Sequence, residues 1–179
     1  MRPAERDDAD FLAPRLRPAD RREISAALGM EPRMVLRRGV QASNPCYAVV
    51  EGTIVFALFG VVPYARDPEI GSVWLLASER LAAHPAFVVR SSKVWIGRLH
   101  EHYRVLTNYV DARNEVHLRW LRFCGFTFVR RIERFGALGL PFYEVVHVRE
   151  PAARPGNEEN EERIHLRRRE IGDAGAGAP

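Results

Sequence analysis

An α/β fold built on a mixed, mostly antiparallel sheet with helices on both faces is what this sequence predicts, and three observations carry it. The first 28 residues show helical apolar spacing, Cys46 to Phe59 switches to β-rich runs around a glycine turn, and Leu106 to Arg149 reads strand, helix, strand, strand. A run of antiparallel strands followed by a β-helix-β crossover implies apolar area on both faces of the sheet, and helices must cover it.

In chain order, there is room for a short strand at Met1 to Pro3. Asp7 to Leu16 and Pro18 to Leu28 are then expected as helices, and Gly29 ends the second. Asp20 and Glu23 fall early in that second helix, where the helix dipole favours acids. Tyr47 to Val50 and Ile54 to Phe59 form a hairpin across Glu51-Gly52-Thr53. A third strand is expected at Ser72 to Ala77, with Pro63 to Gly71 as its connection. Leu81 to Tyr103 returns to helix spacing, with Phe87, Val94, Ile96, Leu99 and Tyr103 turned inward. Leu106 to Val110 is a strand, Asn114 starts a helix that runs to Cys124 and stops at Gly125, and two strands, Phe126 to Glu133 and Pro141 to Arg149, close the domain.

After Glu150 the composition changes. Residues 150–179 hold Pro, Gly and Ala, the acidic run Asn157 to Glu162 and almost no large apolar side chain, so a disordered tail is expected there, with a short helix around Arg163 to Ile171. The expected organisation is one domain over residues 1–149 and this tail.

Composition narrows the function classes. The chain has 179 residues, and 46% hydrophobic with 9% aromatic is enough for a real core. The amino terminus opens with charged residues instead of an apolar run, which argues against secretion. Thr53 to Pro63, the most apolar stretch, reaches about half of the roughly 20 residues a membrane helix needs. A cytoplasmic protein is expected. Cys46 and Cys124 sit in separate hydrophobic runs with no metal-ligand spacing, and read as buried free thiols. Of 27 basic residues only Lys93 is lysine, and the arginines are interleaved with acids, which argues against a nucleic-acid surface at a net charge of +4.

The element order and three local motifs resemble the GNAT superfamily of acyl-CoA-dependent N-acyltransferases. Arg2-Pro3-Ala4 with Asp8-Ala9 and Leu12 is similar to its first strand and helix. Val110-Asp111-Ala112-Arg113-Asn114 followed by Trp120, Leu121, Gly125 and Phe126 is similar to its strand, asparagine, helix and closing Gly-Phe. A narrower resemblance, to phage GNAT-like proteins related to the internal virion protein of short-tailed phages, rests on Leu16 to Ile24, Trp74-Leu75-Leu76, Asn108 to Asn114 and Arg119 to Arg122. The similarity covers about Met1 to Phe142.

The resemblance implies a GNAT-like acyl-CoA N-acyltransferase fold, acetyl-CoA as cosubstrate and an amine as acceptor. It implies that Leu75, Leu76, Ala77, Asn108 and Asn114 hold the pantetheine arm, that Arg80 meets a phosphate, and that Glu51 or Asp111 accepts the amine proton. Ordinary roles stand beside these: a solvated turn acid for Glu51, a helix-start acid for Asp111. Two parts of the family pattern are missing. The segment Ala77-Ser78-Glu79-Arg80-Leu81-Ala82-Ala83 has no glycine where a phosphate cradle is expected, and Leu121 stands where many members have a tyrosine acid. Tyr109 or Tyr103 could substitute, against the plainer reading of each as a packed tyrosine. The alternative to catalysis is a non-catalytic phage or prophage protein working through virion or host contacts, with a virion location.

Histidine supports no other chemistry in the sequence. His100 and His102 lie two apart and would point to different sides of a helix, so no metal pair is expected. His117 reads as packed or exposed, and Ser43 with His84 or His147 lacks a nucleophile elbow. Trp74, Trp95 and Trp120 read as core, and Arg119 and Arg122 as the solvated face of their helix.

Overall fold

Arg2, in the two-residue strand β1 (Arg2–Pro3), forks onto Asp8 at 2.7 and 2.6 Å, and the same Asp8 carboxylate accepts the Glu5 N–H to close the first turn of helix α1 (Arg6–Leu12). The computed structural model describes residues 1–149, and the expected tail with its short helix lies outside them. A 3₁₀ turn at Ala13–Arg15 leads to α2 (Pro18–Leu28), which Pro18 opens at its first position and Gly29 closes at φ 62°.

The third helix, α3 (Pro32–Ala42), occupies a stretch to which sequence periodicity assigns no element. Its signal is diluted by Gly39 and three arginines. Gly39 is there because α3 lies directly on Trp74: a Cβ at that position would come within 2.9 Å of the indole ring.

Strands β2 (Cys46–Glu51), β3 (Ile54–Tyr64) and β4 (Asp67–Ala77) form the expected antiparallel meander. The β3 and β4 strands run further than expected. Pro63 to Gly71 is not a connection, because Pro63 pairs opposite Gly71 and the chain turns only at Ala65–Arg66. Proline is tolerated near the exposed end of the hairpin, where a missing N–H costs little.

The helix expected over Leu81 to Tyr103 is divided. A 3₁₀ turn (Glu79–Ala83) precedes α4 (Pro85–Leu99), since Pro85 can start a helix but not continue one, and His100 to Tyr103 form a turn. Val94, expected inward, is 55% exposed, while Ile96, Leu99 and Tyr103 are buried. After α4 come β5 (Val105–Asp111), α5 (Glu115–Phe123), β6 (Thr127–Phe135) and β7 (Leu140–Val148). Asn114 caps α5 by accepting the His117 N–H at 3.3 Å, and Gly125 leaves the helix at φ 90°.

The seven strands of the described residues make one sheet in the order β1-β2-β3-β4-β5-β7-β6, in which β4 and β5 pair parallel. One face, with Ala48, Leu58, Trp74 and Leu76, packs under α1, α2 and α3. The other, with Val49, Ala57, Phe59, Val61, Leu106 and Val110, packs under α4 and α5. The mixed α/β fold with helices on both faces is therefore present. No helix among the described residues is long and apolar enough to cross a membrane.

Two glycines make opposite tests of this packing. A Cβ on buried Gly71 would meet Val61 Cγ1 at 2.1 Å and the Tyr103 ring at 3.0 Å, both locked in the core. Gly71→Ala is expected to lose about 1–3 kcal/mol in urea denaturation. A Cβ on Gly97, exposed in α4, meets nothing within 4 Å, and Gly97→Ala is expected to gain about 0.5–1 kcal/mol.

Candidate active site

The parallel pair β4/β5 is short. The strands pair only at Ile70↔Val105, Gly71↔Leu106 and Ser72↔Thr107, and then part while β4 continues to Ala77 and β5 to Asp111. Such a parting strands backbone groups unless something else satisfies them. At the far end of β4 the start of α2 does so: Asp20 Oδ2 accepts the Ala77 N–H at 2.7 Å, and the Ala77 carbonyl accepts the Arg17 N–H at 2.9 Å. Asp20 is buried and also takes the Arg17 guanidinium at 2.7 and 3.1 Å. Burial pushes the Asp20 carboxyl pKa upward, against the opposing pull of Arg17 and the Ala77 amide.

Because β4 pairs with β3 in unbroken register from Gly71 to Ala77, alternation turns the backbone groups of Val73 and Leu75 toward the same edge as those of Ala77. That edge faces the opening. The parted strands open onto a cleft of about 880 Å³, whose walls include Val73, Leu75, Trp95, Asn108, Asn114 and His117. This volume lies within the usual range for small-molecule sites. Arg17, Arg22, Arg113 and Arg119 also line it, against the acids Glu79, Asp111 and Glu115.

Solved structures give this geometry a context. A ribosomal-protein-alanine N-acetyltransferase from Brucella melitensis matches with a TM-score of 0.65 at 13% identity, over 83% of this chain and 98% of that one. A GNAT-family acetyltransferase from Streptococcus pneumoniae matches at 0.57 and 14% identity, over 83% and 98%. A Bacillus subtilis acetyltransferase solved in complex with CoA matches at 0.59 and 10% identity, over 84% and 96%. This chain has the GNAT acetyltransferase fold. No family profile and no curated protein matches it in sequence.

Within the GNAT fold the residues singled out in the sequence separate into two groups. Leu75, Asn108, Asp111 and Asn114 line the cleft. Leu76 turns its side chain under the first three helices, and the amide and carbonyl of Ala77 are both engaged by α2. Glu51 and Arg80 are paired with each other at 2.6 Å on the surface, each about half exposed. Tyr109 stacks on Phe135 at 4.8 Å between centroids and donates to Glu144 at 3.3 Å, and burial raises its pKa. Tyr103 is buried and donates to the Asn44 carbonyl.

Asp111 is buried and held by Arg113 at 2.6 Å. Burial opposes ionisation, but the hydrogen bonds from the Arg113 side chain and backbone win, and its carboxyl stays below the usual carboxylate range. The turn over Glu79–Ala83 closes on itself, with the Leu81 N–H donated to Ser78 and the His84 N–H to Leu81, each at 3.1 Å. Those amides are in use within the turn.

The cleft also holds residues that sequence reading assigned elsewhere. Trp95 and Trp120, read as core, form part of its wall, and Arg119, read as solvated surface, borders it. Neither carries a local signal, because helix spacing marks a wide apolar stripe without saying which part of it meets a gap in the sheet. Away from the cleft lining, His100 Nδ1 lies 2.8 Å from the Tyr103 carbonyl and its Nε2 2.7 Å from His147 Nδ1, a contact between residues 47 apart in sequence. Both cysteines are free, and burial pushes each thiol up to about 11.

Removing the Asp20 carboxylate would leave the buried Ala77 N–H and the Arg17 guanidinium without their partner. Asp20→Ala is expected to cost about 3 kcal/mol in denaturant unfolding. Asp20→Asn, which keeps one acceptor oxygen for Ala77, is expected to cost less.

Proposed function

We propose that this chain is an N-acetyltransferase that draws an acetyl group from acetyl-CoA and transfers it to an amine. The observation that carries the reading is the parting of β4 from β5 over the cleft. An extended arm with amide groups can lie there as a surrogate strand, using the backbone of Val73 and Leu75 on one side. Asn108 and Asn114 line the other side, Asn108 with its Oδ1 accepting the Tyr109 N–H and Asn114 with its amide held between Glu23 and the His117 N–H. The Bacillus subtilis acetyltransferase, which shares the fold, was solved in complex with CoA, and that supports a CoA thioester as the ligand.

The phosphate end requires positive charge that the closed turn at Glu79–Ala83 does not present. Arg22 and Arg119, both lining the cleft, are suited to that role, with Arg80 able to join if its pairing with Glu51 is exchanged for phosphate. Asp111 stays ionised beside Arg113 at the end of β5, and the pair lines the cleft without adding net charge to it. Glu51 and Tyr109 stand apart from the cleft lining, and the reading does not use them for proton transfer. An open cleft with paired amide side chains favours transfer over a purely virion or host-contact role, which requires no gap in the sheet.

Titration calorimetry of the purified chain with acetyl-CoA tests this reading. One site per chain is expected. Asn114→Ala, which removes the amide that caps α5 and ties it to Glu23 at the edge of the cleft, is expected to weaken binding about tenfold, the equivalent of about 1.4 kcal/mol. No heat at millimolar acetyl-CoA would remove the proposal.

A further inference from the structure

Among the described residues that line the cleft, His117 is the one imidazole, and no tyrosine joins it. It lies one turn before Leu121 on α5, so that the two share a helix face, and both reach the cleft. Leucine cannot move a proton. Histidine can, and its ordinary charge change falls near neutral pH.

A carboxylate from another helix lies beside the His117 ring. Its Nδ1 is 3.7 Å from Glu23 Oε2, an ion-pair separation, with side-chain exposures of 16% and 18%. Glu23 belongs to α2, on the opposite lip of the opening. Asn114 ties the pair together: its Nδ2 donates to Glu23 Oε2 at 3.3 Å and its Oδ1 accepts the His117 N–H at 3.3 Å. The Trp120 ring lies 5.7 Å from the imidazole. With Nδ1 directed at a carboxylate that is not part of the cleft lining, the Nε2 edge is left for the cleft. The other charges lining the cleft are Asp111 and Arg113, which pair with each other, Glu115 and Arg119 on α5, Arg17 and Arg22 near the start of α2, and Glu79.

We infer that His117, oriented by Glu23, is the catalytic proton carrier of acetyl transfer. This rests on the acetyl-CoA reading above. The neutral amine nitrogen attacks the thioester carbonyl carbon, a C–N bond forms and the C–S bond breaks. His117 Nε2 takes the proton released by that nitrogen and returns it to the departing sulfur, so the products are an amide and a free thiol and the imidazole ends neutral. Glu23 is a positioning residue: its charge favours the transient imidazolium and keeps Nε2 turned to the cleft.

The test is CoA thiol release from acetyl-CoA with a tryptic peptide mixture as the amine source, followed from pH 6 to 9 beside calorimetric binding of acetyl-CoA. With the rate expressed per unprotonated amine, it is expected to rise with pH along a limb that reports one group of the protein that must be unprotonated. His117→Gln is expected to lower kcat at least about 100-fold, to abolish that limb, and to leave acetyl-CoA affinity within about threefold. Glu23→Gln, which keeps the shape but removes the carboxylate beside Nδ1, is expected to lower kcat about tenfold while acetyl-CoA affinity stays within about threefold. Circular dichroism and melting of both variants are expected to match the wild type, and His117→Asn replaces His117→Gln if that variant fails to fold. A His117 variant that keeps its rate within about threefold, or keeps the limb, would overturn the inference, as would a wild type that binds acetyl-CoA but releases no thiol. Absence of acetyl-CoA binding would instead remove the parent reading.

Discussion

The site depends on how the end of β4 is satisfied once β5 has left it. A strand inside a sheet has its backbone groups paired on both sides, and parting one neighbour leaves a row of donors and acceptors facing a gap. Here the last residue of that row, Ala77, is paired by α2 through the Asp20 carboxylate and the Arg17 amide. The gap is thus closed at its far end and open in its middle, where Val73 and Leu75 lie. One buried carboxylate does for β4 what a strand would otherwise do, and Arg17 balances its charge.

The same helix also reaches the other lip. Asp20 and Glu23 are three residues apart, so they lie on one face of α2. The first takes the end of β4, and the second touches Asn114 and His117 at the start of α5. The separation between the lips is therefore set by the length of one helical turn. Pro18 at the first helical position and the Arg17–Asp20 fork fix where that turn begins. The dependence of the cleft on α2 links fold stability to function, since loosening Asp20 would also move Glu23.

Much of this architecture is legible in the sequence because it arises from local periodicity. The meander from Cys46, a strand over Leu106 to Val110, the Asn114 cap and the Gly125 turn all follow from residue type and spacing, and the structure has each of them, the strand one residue longer at either end. What is not legible is set by contacts between distant segments. The helix α3 is hidden because its central glycine answers to Trp74, 35 positions later. The engagement of Ala77 by Asp20 joins residues 57 apart, and the His117–Glu23 contact joins α5 to α2. His117 looks like an ordinary helix residue until the sheet opens beside it, and Arg80 looks available for phosphate until Glu51 is found against it.

The glycine-free turn after β4 also has a structural account. A glycine-rich loop leaves its amides outward, whereas here Leu81 is buried against Phe56, Ala77 and the start of α4, and its N–H is donated to the Ser78 carbonyl. Burying Leu81 anchors α4 over the sheet by apolar area, about 1.5–3 kcal/mol for a fully buried leucine, and the same packing draws the turn inward. Under the acetyl-CoA reading, charge for the phosphates then comes from side chains on helices flanking the cleft. Arginine suits that role, because its fork can reach from a helix and still bind a phosphate in two places. The arginines that line this cleft on α2 and α5 are in that position, and their helices are the two that Asp20, Glu23 and Asn114 hold in place.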